Sequence, residues 1–139
     1  MNKILVVEDD AKIAAALRIR LEAGGYQVVA AADGFSGLKM TMTHRPNLIL
    51  LDIMMPVGMG FSVAERLKDL GLGDIPIIFI TASKRAGLRK TAQELGAAGF
   101  FEKPYDADQL LAAIQLILGP AHLAVAAQTT PAAVPRLNP

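Results

Sequence analysis

The chain has 139 residues, of which 53% are hydrophobic and 19% charged, and its formal net charge is +1. That is the length and composition of one core-rich globular domain, with charge too evenly balanced to argue for nucleic acid or membrane surfaces by electrostatics. Cysteine is missing, which excludes disulfides and thiolate sites, and the two histidines, His44 and His122, stand too far apart in the chain to suggest a histidine metal cluster.

The N-terminus, MNKILVVEDD, carries a short apolar run that meets three acids, unlike a signal peptide. No apolar run approaches the roughly 20 residues of a membrane span. The expectation is a cytoplasmic protein without a membrane partner. Lys3–Val7 reads as a first strand. Asp10 is placed to cap the helix that follows, and Ile13, Leu17 and Leu21 form one stripe of that helix, which ends near Gly24-Gly25. Gln27–Ala31 is the next strand candidate, followed by a helix near 35–44 that ends at His44, where a cationic side chain suits the helix dipole. Leu48–Leu51 reads as a strand covered on both faces, and a helix near 60–70 follows. Pro76–Ile80, a helix near 84–95, Gly99–Glu102 and a helix near 106–118 complete the series. Leu110, Leu111, Ile114 and Ile117 mark the buried side of the last helix.

Regular alternation of strand and helix predicts an α/β fold, a parallel sheet with helices on both faces. If that sheet is doubly wound in the flavodoxin-like (βα)5 order 2-1-3-4-5, strands one, three, four and five end side by side. Functional groups in such sheets gather beyond the carboxyl ends of the strands. Glu8, Asp9 and Asp10 follow the first strand, Asp52 closes the third, Thr81 and Ala82 the fourth, and Lys103 and Pro104 the fifth. Asp52 is the most demanding of these, because an ionised carboxylate at the end of LILL costs several kcal/mol to bury unless a cation meets it. Crowded carboxylates with oxygen-only ligands suit Mg²⁺, and an ammonium and a hydroxyl beside them suit an incoming phosphoryl group. On this reading Asp52 is the nucleophile and becomes an aspartyl phosphate.

The motifs VVEDD, LLDIMMP, ITA and FFEKP, in order and each at a strand end, resemble the receiver domain of two-component response regulators, the CheY-like family, over about residues 3 to 118. The resemblance implies that Asp52 is the phospho-acceptor and that Glu8 and Asp9 are the acidic pair that binds Mg²⁺, Asp9 directly and Glu8 through water. The backbone carbonyl of Met54 matches the third protein ligand. Thr81 matches the hydroxyl that turns toward the phosphoryl group, Ala82 the small residue that leaves its approach open, and Lys103 the phosphate-pairing lysine, with a cis bond to Pro104. Phe100 matches the switch aromatic, often a tyrosine in the family. It has no hydroxyl to bond in either state, so its switch is expected to rest on packing. The family implies a phospho-accepting switch with self-catalysed phosphotransfer and autodephosphorylation, not an enzyme with a separate substrate. Its donor would be a sensor histidine kinase or a histidine phosphotransfer protein, and its state a monomer or a phosphorylation-promoted dimer.

Two departures from the family pattern carry expectations. The run Pro56-Val57-Gly58-Met59-Gly60 lacks the acid that usually precedes the last glycine, which would leave the next helix without a capping carboxylate. Met54, two residues past the acceptor, is apolar and is expected to slow hydrolysis of the phosphate; with Ser83 it matches the positions that influence that rate. The basic run Lys84–Lys90 reads first as a solvated helix face, with a partner-binding surface as the alternative that the family's output face implies, and Ala11, Ala14, Ala15 and Arg18 as a face that a donor helix can approach. After Leu118 the sequence becomes Ala/Pro-rich, so the expected organisation is a receiver over 1–119 and a flexible tail over 120–139. With no room for an output domain, the expectation is a stand-alone receiver with no direct nucleic-acid binding. A phosphorelay intermediate and a pseudo-receiver are the alternatives. A haloacid dehalogenase-like phosphohydrolase would need a second Asp where Met54 stands, and a flavin protein would not place VVEDD beside a phosphate.

Overall fold

The computed structural model describes residues 1–54 and 60–119. The chain alternates β1 (Lys3–Val7), α1 (Ala11–Ala23), β2 (Gln27–Ala31), α2 (Gly34–His44), β3 (Leu48–Asp52), α3 (Gly60–Asp69), β4 (Ile77–Thr81), α4 (Leu88–Glu94), β5 (Gly99–Glu102) and α5 (Ala107–Leu118). The strands form one sheet in the order β2-β1-β3-β4-β5, and every pairing is parallel. This is the expected doubly wound order, with β3 at the centre.

Strand alternation divides the core in two. Ile4, Val6, Leu48, Leu50, Ile78 and Ile80 face α1 and α5, where Leu17, Leu21, Leu110 and Ile114 meet them. Leu5, Val7, Ile49, Leu51 and Phe79 face the other way, against Val63, Ala64 and Leu67 of α3 and Ala92 of α4. The two adjacent rings of β5 split accordingly, Phe101 packing on the first cluster and Phe100 on the second. Ile13 is half-buried on the stripe completed by the buried Leu17 and Leu21.

Asp10 caps α1 as expected, its Oδ1 accepting from the Lys12 and Ile13 amides at 2.9 and 3.3 Å. Asp33 and Asp106 cap α2 and α5 in the same way. Several boundaries differ from the sequence reading, three of them near the rim or α4. β3 and β4 each run one residue further, so that Asp52 and Thr81 are themselves strand residues in register with their neighbours. α4 begins at Leu88, four residues later than expected, because Gly87 adopts a φ of +89° and starts the helix there. Among the described residues no helix is long and apolar enough to cross a membrane. The expectations for Pro56–Met59 and for the 120–139 tail lie outside the described residues.

Candidate functional site at the carboxyl rim of the sheet

β1, β3, β4 and β5 bring their carboxyl ends to one rim. Glu8 leaves β1 with its amide donating to the Ala31 carbonyl of β2 at 3.0 Å, which holds its side chain over the rim. Its Oε2 accepts from the Asp10 amide at 3.1 Å, and its Oε1 accepts from Lys103 Nζ at 2.8 Å. Asp52 is held at both oxygens. Oδ1 accepts from the Met54 amide at 3.0 Å, and Oδ2 from Lys103 Nζ at 3.1 Å. Both acids are almost wholly out of water, Glu8 at 5% and Asp52 at 4% exposure. Asp9, in contrast, is exposed beside them.

Lys103 reaches this rim because β5 is tied to β4 there. Its amide donates to the Thr81 carbonyl at 2.7 Å, and the Lys103–Pro104 bond is cis. Burial alone would lower its pKa, but the hydrogen bonds and charges of Glu8 and Asp52 outweigh it and the ammonium is held above its ordinary value. Burial raises the Glu8 pKa, with the nearby Asp52 charge adding to it, although Lys103 and the Asp10 amide pull the other way. Thr81 is fully buried, and its Oγ1 accepts from the Ser83 amide at 3.0 Å. A hydroxyl that is accepting there keeps its own O–H free to donate. Ala82 is exposed next to it, and the Met54 side chain is 39% exposed at the lip of the rim.

Carboxylate oxygens of Glu8, Asp9 and Asp52 lie within 4.8 Å of one another. With all three ionised and Lys103 protonated, three negative charges and one positive leave a deficit of two, which one divalent cation would neutralise. The donor set is all oxygen, it is partly open to solvent through Asp9, and it therefore fits a hard ion such as Mg²⁺ that keeps some of its waters.

The residues singled out at the strand ends thus stand together: Glu8, Asp9, Asp52, Thr81, Ala82 and Lys103 share the rim, with Met54 beside it. Three features were missed. Glu8 and Asp52 share one lysine, a pairing across 95 and 51 residues of sequence that no local signal announces. Gly60, read from sequence as the uncapped start of the next helix, is a close-approach glycine. A Cβ there would come within 2.7 Å of the Asp52 carbonyl oxygen and 2.9 Å of the Ile53 Cα. Its amide also donates to the Ile53 carbonyl at 3.0 Å, so α3 starts pressed against the backbone that carries Asp52. Phe100, for its part, lies under a cation: the Arg89 guanidinium is 4.6 Å from its ring centroid.

Comparison with known proteins places these features in context. The model of the response regulator receiver domain matches residues 4–115. The transcriptional regulatory protein DltR of Streptococcus agalactiae (strain NEM316) is 43% identical over 114 residues, 82% of this chain and 50% of DltR. The DNA-binding dual master transcriptional regulator RpaA of Synechocystis is 35% identical over 119 residues, 85% of this chain and 49% of RpaA. Among solved structures, the chemotaxis protein CheY4 of Vibrio cholerae superposes with a TM-score of 0.78 at 29% identity, covering 85% of this chain and 99% of CheY4. The receiver domain of the sensor histidine kinase PA1611 of Pseudomonas aeruginosa, which carries a magnesium ion in its active-site cleft, superposes with a TM-score of 0.76 at 28% identity, over 85% of this chain and 98% of that one. The chain spans about half the length of the curated relatives it matches. The expectation of no direct nucleic-acid binding is therefore withdrawn, since it rested on composition and length while these relatives are transcriptional regulators, one of them DNA-binding by name. The near-neutral charge of a segment that matches half of such regulators says nothing about the nucleic-acid contacts of their other half.

Proposed function

Because the chain belongs to the response regulator receiver domain family, a phospho-accepting switch of two-component signalling, we propose that it takes a phosphoryl group from a phosphohistidine donor onto Asp52. The observation that carries this reading is the shared lysine: Lys103 Nζ hydrogen-bonds Asp52 and Glu8 at 3.1 and 2.8 Å in a rim that excludes most water. An Asp52 oxygen attacks phosphorus, an O–P bond forms, and the P–N bond breaks with its electron pair leaving on the imidazole nitrogen. Lys103 holds the nucleophile and stands ready to pair with an equatorial phosphoryl oxygen. Thr81 has a free O–H for a second such oxygen, and Ala82 leaves the approach unobstructed. Mg²⁺, held by Glu8, Asp9, Asp52 and the Met54 carbonyl, would offset the charge of the transferring group. Met54, exposed and apolar at the lip, offers attacking water no hydrogen bond, so the aspartyl phosphate is long-lived and a Met54→Asn variant loses it faster.

The donor is a sensor histidine kinase or a histidine phosphotransfer protein. Likeness to DltR and RpaA supports a transcriptional output, with DNA contacts made by a segment beyond the receiver match. Likeness to the receiver of PA1611 favours a second reading, a relay that passes the phosphate on to another histidine. Incubation with Mg²⁺ and acetyl phosphate, followed by intact mass, tests the shared first step. Wild type gains one phosphoryl group and Asp52→Asn none; equal labelling of both, or of neither, defeats it. Retention of label in the presence of a histidine phosphotransfer protein then separates the switch from the relay.

A further inference from the structure

The basic run after β4 is not a uniformly solvated face. Lys84 Nζ lies 3.7 Å from Glu102 Oε1 and donates to the Lys103 carbonyl at 3.4 Å. Arg89 covers the half-buried ring of Phe100 with its guanidinium, 4.6 Å from the centroid. α4 has little else to anchor it. It is seven residues long, buries only Leu88 and Ala92, and starts at Gly87 without a side-chain cap.

The register shows what that contact is coupled to. Phe79 pairs with Phe100 and Thr81 with Glu102, so the period of two puts Phe100 and Thr81 on the same face of the sheet, the one α4 covers. A tyrosine at this position would have a hydroxyl with which to hold one orientation; phenylalanine has only its π face. That face carries partial negative charge and attracts a guanidinium.

On the receiver reading above, we infer that Arg89 is a positioning residue for the switch: its contact with Phe100 holds the ring in the resting position against α4 and opposes its movement toward Thr81. The contact supplies an electrostatic hold where packing alone was expected. A cation over a ring at an exposed site biases such an equilibrium by about two- to fivefold. A ligand that requires the other position binds more weakly by the same factor while the contact is intact.

Beryllofluoride with Mg²⁺ serves as the probe, because it mimics a phosphoryl group on Asp52 at equilibrium. Arg89→Gln is expected to lower its apparent dissociation constant about two- to fivefold. Arg89→Lys, which keeps the charge but not the planar group, falls between. In a Phe100→Leu background Arg89→Gln has no effect. An unchanged constant in Arg89→Gln, or an equal change with and without the Phe100 ring, overturns the inference. Arg89 is exposed, so its substitutions leave the core intact, far-ultraviolet circular dichroism checks that Phe100→Leu is folded, and an upfield shift of the Arg89 Cδ protons in wild type that disappears in Phe100→Leu reports the contact independently. Wild type that fails to bind beryllofluoride defeats the acceptor reading and the switch role with it. Wild type that binds, with no coupling between the two residues, defeats the role of Arg89 alone.

Discussion

Lys103 and Lys84 each hold an ammonium against a carboxylate, but they do so in different media. Lys103 keeps 17% of its side-chain exposure and meets Glu8 and Asp52, each at 5%, at 2.8 and 3.1 Å. Lys84 meets Glu102 at 3.7 Å with side chains 66% and 46% exposed. In water-like surroundings a charge pair gains little over its hydration, whereas at a dry rim each charge depends on its partner. The rim is therefore an expensive way to gain stability, since apolar residues of similar volume would hold the strands at least as well. What it supplies is a carboxylate held at both oxygens and poorly hydrated, which suits the nucleophile proposed for Asp52.

The contrast is broken most forcefully at Lys103. In Lys103→Met, without divalent ions and at neutral pH, Glu8 and Asp52 lose their shared cation, and urea unfolding should show a loss of about 3 kcal/mol, the low end for a broken buried pair because the rim is not sealed. Added Mg²⁺ should restore part of it, since the ion takes over the charge. A loss under about 1 kcal/mol would mean that water already reaches these acids and that the two sites do not differ in kind. Gly60→Ala attacks the same rim through the backbone. Its Cβ has backbone atoms at 2.7 and 2.9 Å and no flexible side chain to displace, so a cost of about 2 kcal/mol is expected in the same assay.

Titration sharpens the comparison further. Glu8 and Lys103 both have pKa values raised in the fold, so the linkage has the same sign for each: the favourable contribution is complete below the unfolded value and disappears as pH rises through the folded one. For Lys103 that window opens above its ordinary 10.5, and wild type should lose stability there faster than Lys103→Met. For Glu8 the window lies above 4.5 on the acid side, so the metal-free fold should gain from protonating Glu8 as pH falls toward that value. Glu8→Gln should flatten this limb.

The alternation of elements and the residues that close the strands were legible because they rest on one-dimensional signals, whereas the strand order was taken from the flavodoxin-like pattern. Aliphatic runs as short as LILL and helical spacing in Ile13-Leu17-Leu21 mark the elements, polar residues close the strands, and the order β2-β1-β3-β4-β5 brings Glu8, Asp52, Thr81 and Lys103 together. The sequence did not reveal how these groups divide their bonds. That Lys103 serves two acids at 2.8 and 3.1 Å, across 95 and 51 residues of sequence, or that a Gly60 Cβ would lie 2.7 Å from the Asp52 carbonyl oxygen, depends on how the elements pack in three dimensions. Arg89 and Phe100 were hidden for a different reason: a charge run on a short helix reads as solvated unless the register of the next strand is known. Nucleic-acid binding was misjudged because composition describes only the half of the regulators that this chain matches.

The smallest expected effect lies at the surface pair. Lys84→Ala removes an ion pair of 3.7 Å and a 3.4 Å hydrogen bond to the Lys103 carbonyl, both open to solvent. The Coulomb gain between Lys84 and Glu102 is screened, and ordering two long side chains offsets much of what remains, so a change within about 0.5 kcal/mol is expected. A double-mutant cycle with Glu102→Gln isolates the ion pair, and its coupling should fall toward zero in 1 M salt, where the Debye length is about 3 Å. The same salt should leave the Lys103 pairing largely intact, because counterions cannot enter between groups that water hardly reaches. If the surface coupling instead exceeds about 2 kcal/mol and survives salt, then Lys84 is part of the rim's electrostatics through the Lys103 carbonyl. Stability would then be shared between the two sites, and exposure would no longer be what separates them.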